Sequence, residues 1–411
     1  MHASLQSTTT VAPTATLRLH SLHADAMISS VTRALLDPPD PRAVAGGGRA
    51  RDPRDGIRTL ELVAGGSWVR ATSPLLSDVI RPSDGAPLAH LPLASRDDVD
   101  HVVRAVAAKA PSWRRTGPDT RRAVLERLQA ELQRRRARLV EIILDDTGWS
   151  THDANDEVAR ALAVAAAAAA SSPPVQRVNF AHHAKEEEVT LHLPVGLVAA
   201  ITPASHPLSE AAWWLTEALK YGASIVLHPD WRAPLAVEEL VRASLAAGVP
   251  GGALGLVHGD VDTSERLARH AQIDAVAVAG AHPDTALIAD AATCSRKPLR
   301  WSVPRKAVVL ITDGSDLVAT AQQVVADVLV RGGVHGMLPP LVLHVGDANL
   351  ALERALVAAC QRAASNLAGS DGLSWLHPAS TEEQRMVADL VADGGQLLGE
   401  PSATKAALRV V

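Results

Sequence analysis

A chain of 411 residues with 47% hydrophobic side chains can bury a large core and has the length of two domains, or three. A net charge of -5 offers no basic face for counterion release, so nucleic acid and anionic membrane are not expected partners. Two cysteines, Cys294 and Cys360, exclude a disulfide framework and make a reducing cytoplasm the expected compartment.

The Ser/Thr-rich stretch from Met1 to Thr16 lacks the continuous apolar core of a secretory signal. The near-apolar run from Ala161 to Ala170 is mostly alanine and too short to span a bilayer. Residues 1–57 read as an extension, with one amphipathic stretch at His23–Leu36 and a Pro/Gly/Arg/Asp-rich linker at Asp37–Arg54. From Thr59 the pattern predicts two short strands around Gly65-Gly66, then a strand at Val79-Ile80 ending in a Pro/Asp/Gly turn. Ser95 followed by Asp97 and Asp98 predicts a helix over Arg96–Lys109. A second helix, Asp119–Asp145, carries Val124, Leu128, Leu132, Leu139 and Ile143 on one stripe and arginines opposite. That arginine-rich face reads as solvated surface. A third helix covers Asp153–Ala170 and breaks at Ser171-Ser172-Pro173-Pro174.

Beyond this point short apolar strands alternate with helices. Strands are expected at Val198–Thr202, Ser224–His228, Leu254–His258 and Ala275–Ala279, with helices at Glu210–Tyr221, Leu235–Ala247 and Ser264–His270 between them. Continuous apolar runs suit parallel strands buried on both faces, and repeated strand–helix–strand units predict a doubly wound sheet. Two more strands, Ala307–Ile311 and Leu341–Val345, flank a helix at Leu317–Val330, and a last helix is expected at Thr381–Asp393. His182-His183 lacks metal-ligand spacing and precedes three glutamates, so it reads as a solvated turn with no metal.

Pro194-Val195-Gly196, Ala199-Ala200-Ile201-Thr202-Pro203, Ala211-Ala212-Trp213 and Val257-His258-Gly259, in this order, resemble the aldehyde dehydrogenase superfamily. Pro194-Val195-Gly196-Leu197-Val198-Ala199-Ala200-Ile201-Thr202-Pro203 is similar to the family's strand leading to its catalytic asparagine. Ala211-Ala212-Trp213, Ala233-Pro234-Leu235, Ala247-Gly248-Val249-Pro250-Gly251-Gly252 and Val257-His258-Gly259 keep the same spacing. Upstream, Gly65-Gly66-Ser67-Trp68-Val69, Arg81-Pro82-Ser83-Asp84-Gly85 and Asp145-Asp146-Thr147-Gly148 also fit. The resemblance covers about residues 60–400. It implies an α/β fold: a doubly wound Rossmann-type domain over 58–296, and a second, shortened α/β domain over 297–411.

At the family's functional positions the residues differ. The asparagine that holds the oxyanion falls on Ser205, within Pro203-Ala204-Ser205-His206-Pro207. The ribose-binding lysine falls on His228, and the turn beside the pyrophosphate on Val278-Ala279-Gly280-Ala281, with Thr285 where a glycine is usual. The general base falls on Ser302 and the nucleophilic cysteine on Gly336, within Arg331-Gly332-Gly333-Val334-His335-Gly336. Family members form a thiohemiacetal on cysteine, pass hydride to nicotinamide and hydrolyse a thioester with glutamate-activated water. With Gly336 and Ser302 in those places, loss of aldehyde oxidation is expected, together with loss of the cofactor at the degenerate positions His228, Gly280 and Ala281.

The polar set His335, Ser205, Arg331, Ser302 and His206 then becomes the candidate catalytic group for a non-redox acid–base reaction on a small carbonyl compound in specialised metabolism. The bland alternative is drift of these positions after selection ended. Two other readings stay open. One is a non-catalytic pseudoenzyme or scaffold, with a homo-oligomeric or protein partner covering the shortened domain. The other is an NAD(P)-dependent aldehyde oxidoreductase with displaced catalytic residues.

Overall fold

The computed structural model describes residues 49–50, 56–171, 179–183, 186–189, 193–280, 285–302, 308–312, 314–329, 341–345 and 349–368, all within one compact unit. The first described elements are strands β1 (Arg49–Ala50), β2 (Leu62–Ala64), β3 (Ser67–Val69), β4 (Leu75–Ile80) and β5 (Pro87–Pro92). Strand β1 pairs with β4 inside the stretch expected to be a linker, a correction to that expectation. Gly65 and Gly66 turn β2 into β3 with φ of 59° and 94°, conformations that favour glycine.

Four helices follow: α1 (Arg96–Arg114), α2 (Pro118–Arg134), α3 (Arg136–Thr147) and α4 (Thr151–Ala170). Ser95 and Asp98 form a reciprocal capping box that starts α1 where the sequence predicts it. The helix runs through Pro111 because Trp113, 2% exposed, anchors its last turn in the core. The single helix expected over Asp119–Asp145 is divided at Arg135, whose guanidinium bridges Glu131 on α2 to Glu239 further along the chain. Strands β6 (Asn179–His183) and β7 (Glu186–Val189) pair antiparallel, so the two histidines lie on a strand rather than in a solvated turn.

The centre of the molecule is a sheet of seven strands in the order β12-β11-β8-β9-β10-β2-β3. Its parallel part comprises β8 (Leu197–Thr202), β9 (Ser224–Pro229), β10 (Leu254–Leu256), β11 (Ala275–Ala279) and β12 (Leu299–Ser302). The helices between them are α5 (Ser209–Tyr221), α6 (Leu235–Ala246), α7 (Val261–Arg269) and α8 (Thr285–Cys294). Alternation divides the strands between two cores. Leu197, Ala199 and Ile201 of β8 join Val226 in a cluster with α1, α7 and α8, whereas Ala200, Ile225 and Leu227 join a cluster with α2 to α6. Both faces are therefore covered, which accounts for strands without polar alternation.

Strands β13 (Val308–Thr312) and β14 (Leu341–Val345) form a separate parallel pair, accompanied by helices α9 (Leu317–Leu329) and α10 (Asn349–Ala368). The helices predicted at His23–Leu36 and Thr381–Asp393 lie outside the described residues. Among the described residues no helix is long and apolar enough to cross a membrane.

Candidate functional site

The strand order fixes where a ligand can enter. The chain runs from β8 through β9 to β10, then returns to place β11 on the other side of β8. The loops leaving β8 and β11 therefore diverge, and in open α/β sheets ligands bind at the carboxyl ends beside such a switch. Here Gly280 follows β11 with φ of 89°, and a methyl at its Cα would overlap the ring of Pro203, the first residue after β8. Its N–H donates to the carbonyl of Ser302 at 2.9 Å. Bare backbone at this junction is what a phosphate or sugar needs in order to approach a sheet edge.

Polar side chains collect along the same edge. Thr202 ends β8 at 1% exposure, and its Oγ1 has no partner among the described residues. Ser205 and His206 lie on the next loop, with Ser205 Oγ 3.3 Å from His206 Nδ1. His228, in β9, is buried and its Nδ1 lies 3.0 Å from the carbonyl of Val257. Asp230 is buried too, and Arg232 donates to both of its carboxylate oxygens at 2.9 and 2.6 Å.

His258 stands just beyond β10, fully buried, and neither ring nitrogen has a partner among the described residues. Burial depresses it to a pKa of about 4, with His228 and Arg58 pushing the same way and Glu238 opposing them. Glu238 of α6 is itself buried. Burial alone would raise its carboxyl, but Arg58 and then Arg242 outweigh that and hold it below the usual range. Arg242 also stacks on Trp68, with its guanidinium carbon 4.1 Å from the ring centroid.

Of the residues singled out from sequence, Ser205, His206, His228 and Gly280 fall on this edge. Ser302 ends β12, two strands from β8, and is exposed. Ala281, Arg331, His335 and Gly336 lie outside the described residues. Thr202, His258 and Glu238 were not proposed as site residues from sequence, whereas Asp230 was paired there with His228, as a surface pair or a ribose contact; both are buried. A histidine closing an apolar strand, as in Leu254–His258, was the available signal for one of them. Among the described residues no cluster of His, Cys, Asp or Glu is suited to a metal ion.

The sequence profile described as the aldehyde dehydrogenase family matches residues 68–366. A malonate-semialdehyde dehydrogenase of Geobacillus kaustophilus is 27% identical over 305 residues, 74% of this chain and 63% of that relative. One from Bacillus mycoides is 26% identical over 292 residues, 71% of this chain and 60% of the relative. The chain thus spans less than two thirds of the length of these relatives. Among solved structures, methylmalonate-semialdehyde dehydrogenase from Oceanimonas doudoroffii matches with a TM-score of 0.69 at 24% identity, covering 74% of this chain and 63% of that one. An aldehyde dehydrogenase from Pseudomonas syringae, solved with NAD+ and octanal, matches with a TM-score of 0.65 at 23% identity, covering 76% and 64%. These structures establish the likeness of fold.

The relatives overturn the expectation of a non-redox acid–base reaction in specialised metabolism, because they are named as dehydrogenases of small semialdehydes. Of the expected acid–base set, Ser205 and His206 lie on the loop after β8 and Ser302 two strands away at the end of β12, while Arg331 and His335 lie outside the described residues.

Proposed function

The chain belongs to the aldehyde dehydrogenase family, and from that membership we propose that it is a nicotinamide-dependent oxidoreductase of small semialdehydes whose reacting groups stand outside the family's usual positions. The overall reaction takes an aldehyde, water and the oxidised dinucleotide to a carboxylate, the reduced dinucleotide and two protons. The observation that carries this reading is the match, over 305 residues, to a relative named for malonate semialdehyde.

The residues at the sheet edge fit a dinucleotide. Thr202 Oγ1 and the His258 ring are buried polar atoms lacking a protein partner among the described residues, and Gly280 packs its bare Cα against the Pro203 ring, bringing the ends of β8 and β11 close together. Asp230 lies beside them with both carboxylate oxygens held by the Arg232 guanidinium, so an acidic and a basic group stand together at this edge. When bound, the dinucleotide supplies the hydride acceptor. Ser205, oriented by His206, offers a hydroxyl for a substrate carbonyl oxygen, in place of the family's asparagine amide.

Calorimetric titration of the whole chain with NAD+ and NADP+, followed by malonate semialdehyde with the preferred dinucleotide, tests the reading. The expected result is NAD+ binding in the micromolar range and aldehyde-dependent appearance of reduced nicotinamide. Absence of heat with both dinucleotides would sink it.

A further inference from the structure

Two loops leave adjacent strands at the carboxyl edge of the sheet, where the crevice of the proposed function would lie: 203–208 after β8 and 230–234 after β9. Their strands are adjacent, with Thr202 opposite Pro229, and Asp230 N–H donates to the Thr202 carbonyl at 3.0 Å. Each loop ends at a helix whose first N–H groups are taken by a buried carboxylate from the helical layer. Glu157 of α4 accepts from Leu208 N at 3.2 Å and Ser209 N at 2.8 Å. Asp146 of α3 accepts from Leu235 N at 2.8 Å and Ala236 N at 3.3 Å. Both carboxylates are at most 1% exposed.

These bonds are not ordinary caps. Neither helix has a capping side chain at its own N-cap, Leu208 or Pro234. Free N–H groups at a helix start need acceptors, and a carboxyl oxygen brought from elsewhere satisfies them; burial raises the Asp146 carboxyl well above its ordinary range, so its clamp rests on the acceptor oxygen rather than on a full charge. The far ends of the same helices are held separately. Arg121 donates to the Lys220 carbonyl at 3.1 Å and Arg127 to the Ala247 carbonyl at 2.9 Å, both from α2. The arginines lie away from the crevice, whereas the carboxylates act where each loop ends.

We propose that Glu157 and Asp146 are positioning residues that fix the two crevice loops, and with them Ser205, His206 and Asp230, by holding the backbone where α5 and α6 begin. The purpose of that fixing, a dinucleotide crevice, rests on the reading given under Proposed function. The geometry of the clamps does not.

Hydrogen–deuterium exchange of the full chain, read by mass spectrometry, separates the two questions. In Glu157→Ala, exchange over 203–209 should rise about tenfold or more, the scale of one lost charge-assisted bond, while 230–236 stays as in the parent. Asp146→Ala should show the reverse pattern. Glu157→Gln and Asp146→Asn keep an acceptor oxygen and should restore protection. Arg121→Gln and Arg127→Gln loosen the opposite helix ends and should leave both loops protected at comparable loss of melting temperature. If the alanine chains fail to fold, Glu157→Asp, one methylene too short for the bond, carries the same comparison. Exchange that rises evenly across the sheet, or loops loosened equally by the arginine variants, would overturn the proposal. NAD+ affinity, measured in parallel, should weaken with the alanine variants and recover with Gln and Asn. A parent chain that binds no NAD+ would refute the dinucleotide reading alone, leaving the exchange pattern to decide the clamps.

Discussion

Arg58 and Glu238 are 180 residues apart in sequence and meet through two parallel bonds, Nη1 to Oε1 at 3.1 Å and Nη2 to Oε2 at 2.9 Å. Glu238 is 3% exposed and also receives Arg242 at 2.7 Å. The pair fastens the segment before β2 to helix α6. Arg58→Ala leaves a buried carboxylate with one cation instead of two. Breaking a buried pair outright costs about 3–5 kcal/mol, and the remaining Arg242 bond should reduce the loss to about 2 kcal/mol. Urea unfolding measures it, and a change below about 0.5 kcal/mol, the scale of ordinary surface substitutions, would show that the pair is not a fastening.

The neighbouring His258 predicts a pH dependence of stability. Its ring is neutral in the folded chain down to a pKa of about 4, against 6.5 for the ordinary group. The folded value is depressed, so the unfolded chain binds the proton first as pH falls. Stability contributed by the neutral ring is fully present above pH 6.5 and is lost as the pH drops towards 4. The loss is about 3 kcal/mol by linkage. Glu238, His228 and Arg58 are the charged and titratable groups coupled to it. His258→Gln should flatten the fall in this window relative to the parent chain. Parallel curves for the two proteins would assign the titration elsewhere.

How much of this was legible in the sequence depends on what each residue contacts. Strands β8, β9 and β11 were readable because both faces of each are buried, leaving unbroken runs such as Ala275–Ala279. Strand β5 was not, since Pro87, His90 and Pro92 break any strand pattern, and the buried His90 has a partner in Asp78 on β4. The exposed β12, Leu299–Ser302, carries no apolar run either. Ser205, His228 and Gly280 were singled out through a resemblance, and the structure puts them at the carboxyl edge of the sheet. Glu157, Asp146 and Glu238 were invisible because acidic residues on helices read as solvent-facing. Each is buried only because its partner lies far away in sequence: Ser209, Leu235 and Arg58, respectively.

Gly280 supports a sharper test of the crevice. Its φ of 89° disfavours any side chain, and a methyl there would overlap Pro203 across the switch between β8 and β11. Gly280→Ala should cost about 1–3 kcal/mol in backbone strain alone, with overlap added. If the crevice is the dinucleotide site, NAD+ affinity should fall even at temperatures where the variant is fully folded. Thermal melting and calorimetry on the same sample distinguish the effects. A variant as stable as the parent, with unchanged NAD+ affinity, would place the ligand elsewhere.

The correspondence of Gly336 with the family's nucleophile, and of Ser302 with its base, can be tested by restoring them. Position 336 lies outside the described residues, so the expectation is what the family resemblance implies, whereas Ser302 ends β12 beside Gly280. A thiolate introduced by Gly336→Cys can add to the aldehyde carbon, but release of the resulting thioester needs activated water. The single variant should therefore give a burst of reduced nicotinamide, at most one per chain, above the parent's steady rate. It should also become sensitive to thiol alkylation. Adding Ser302→Glu supplies the base and should turn the burst into sustained turnover, by a factor on the order of ten or more, about 1.4 kcal/mol of barrier per tenfold. Stopped-flow absorbance with malonate semialdehyde and NAD+ resolves the two phases. A folded, NAD+-binding Gly336→Cys chain without a burst would mean that position 336 does not face the substrate, and that the reacting groups of this chain must be sought around Ser205 and His206 instead.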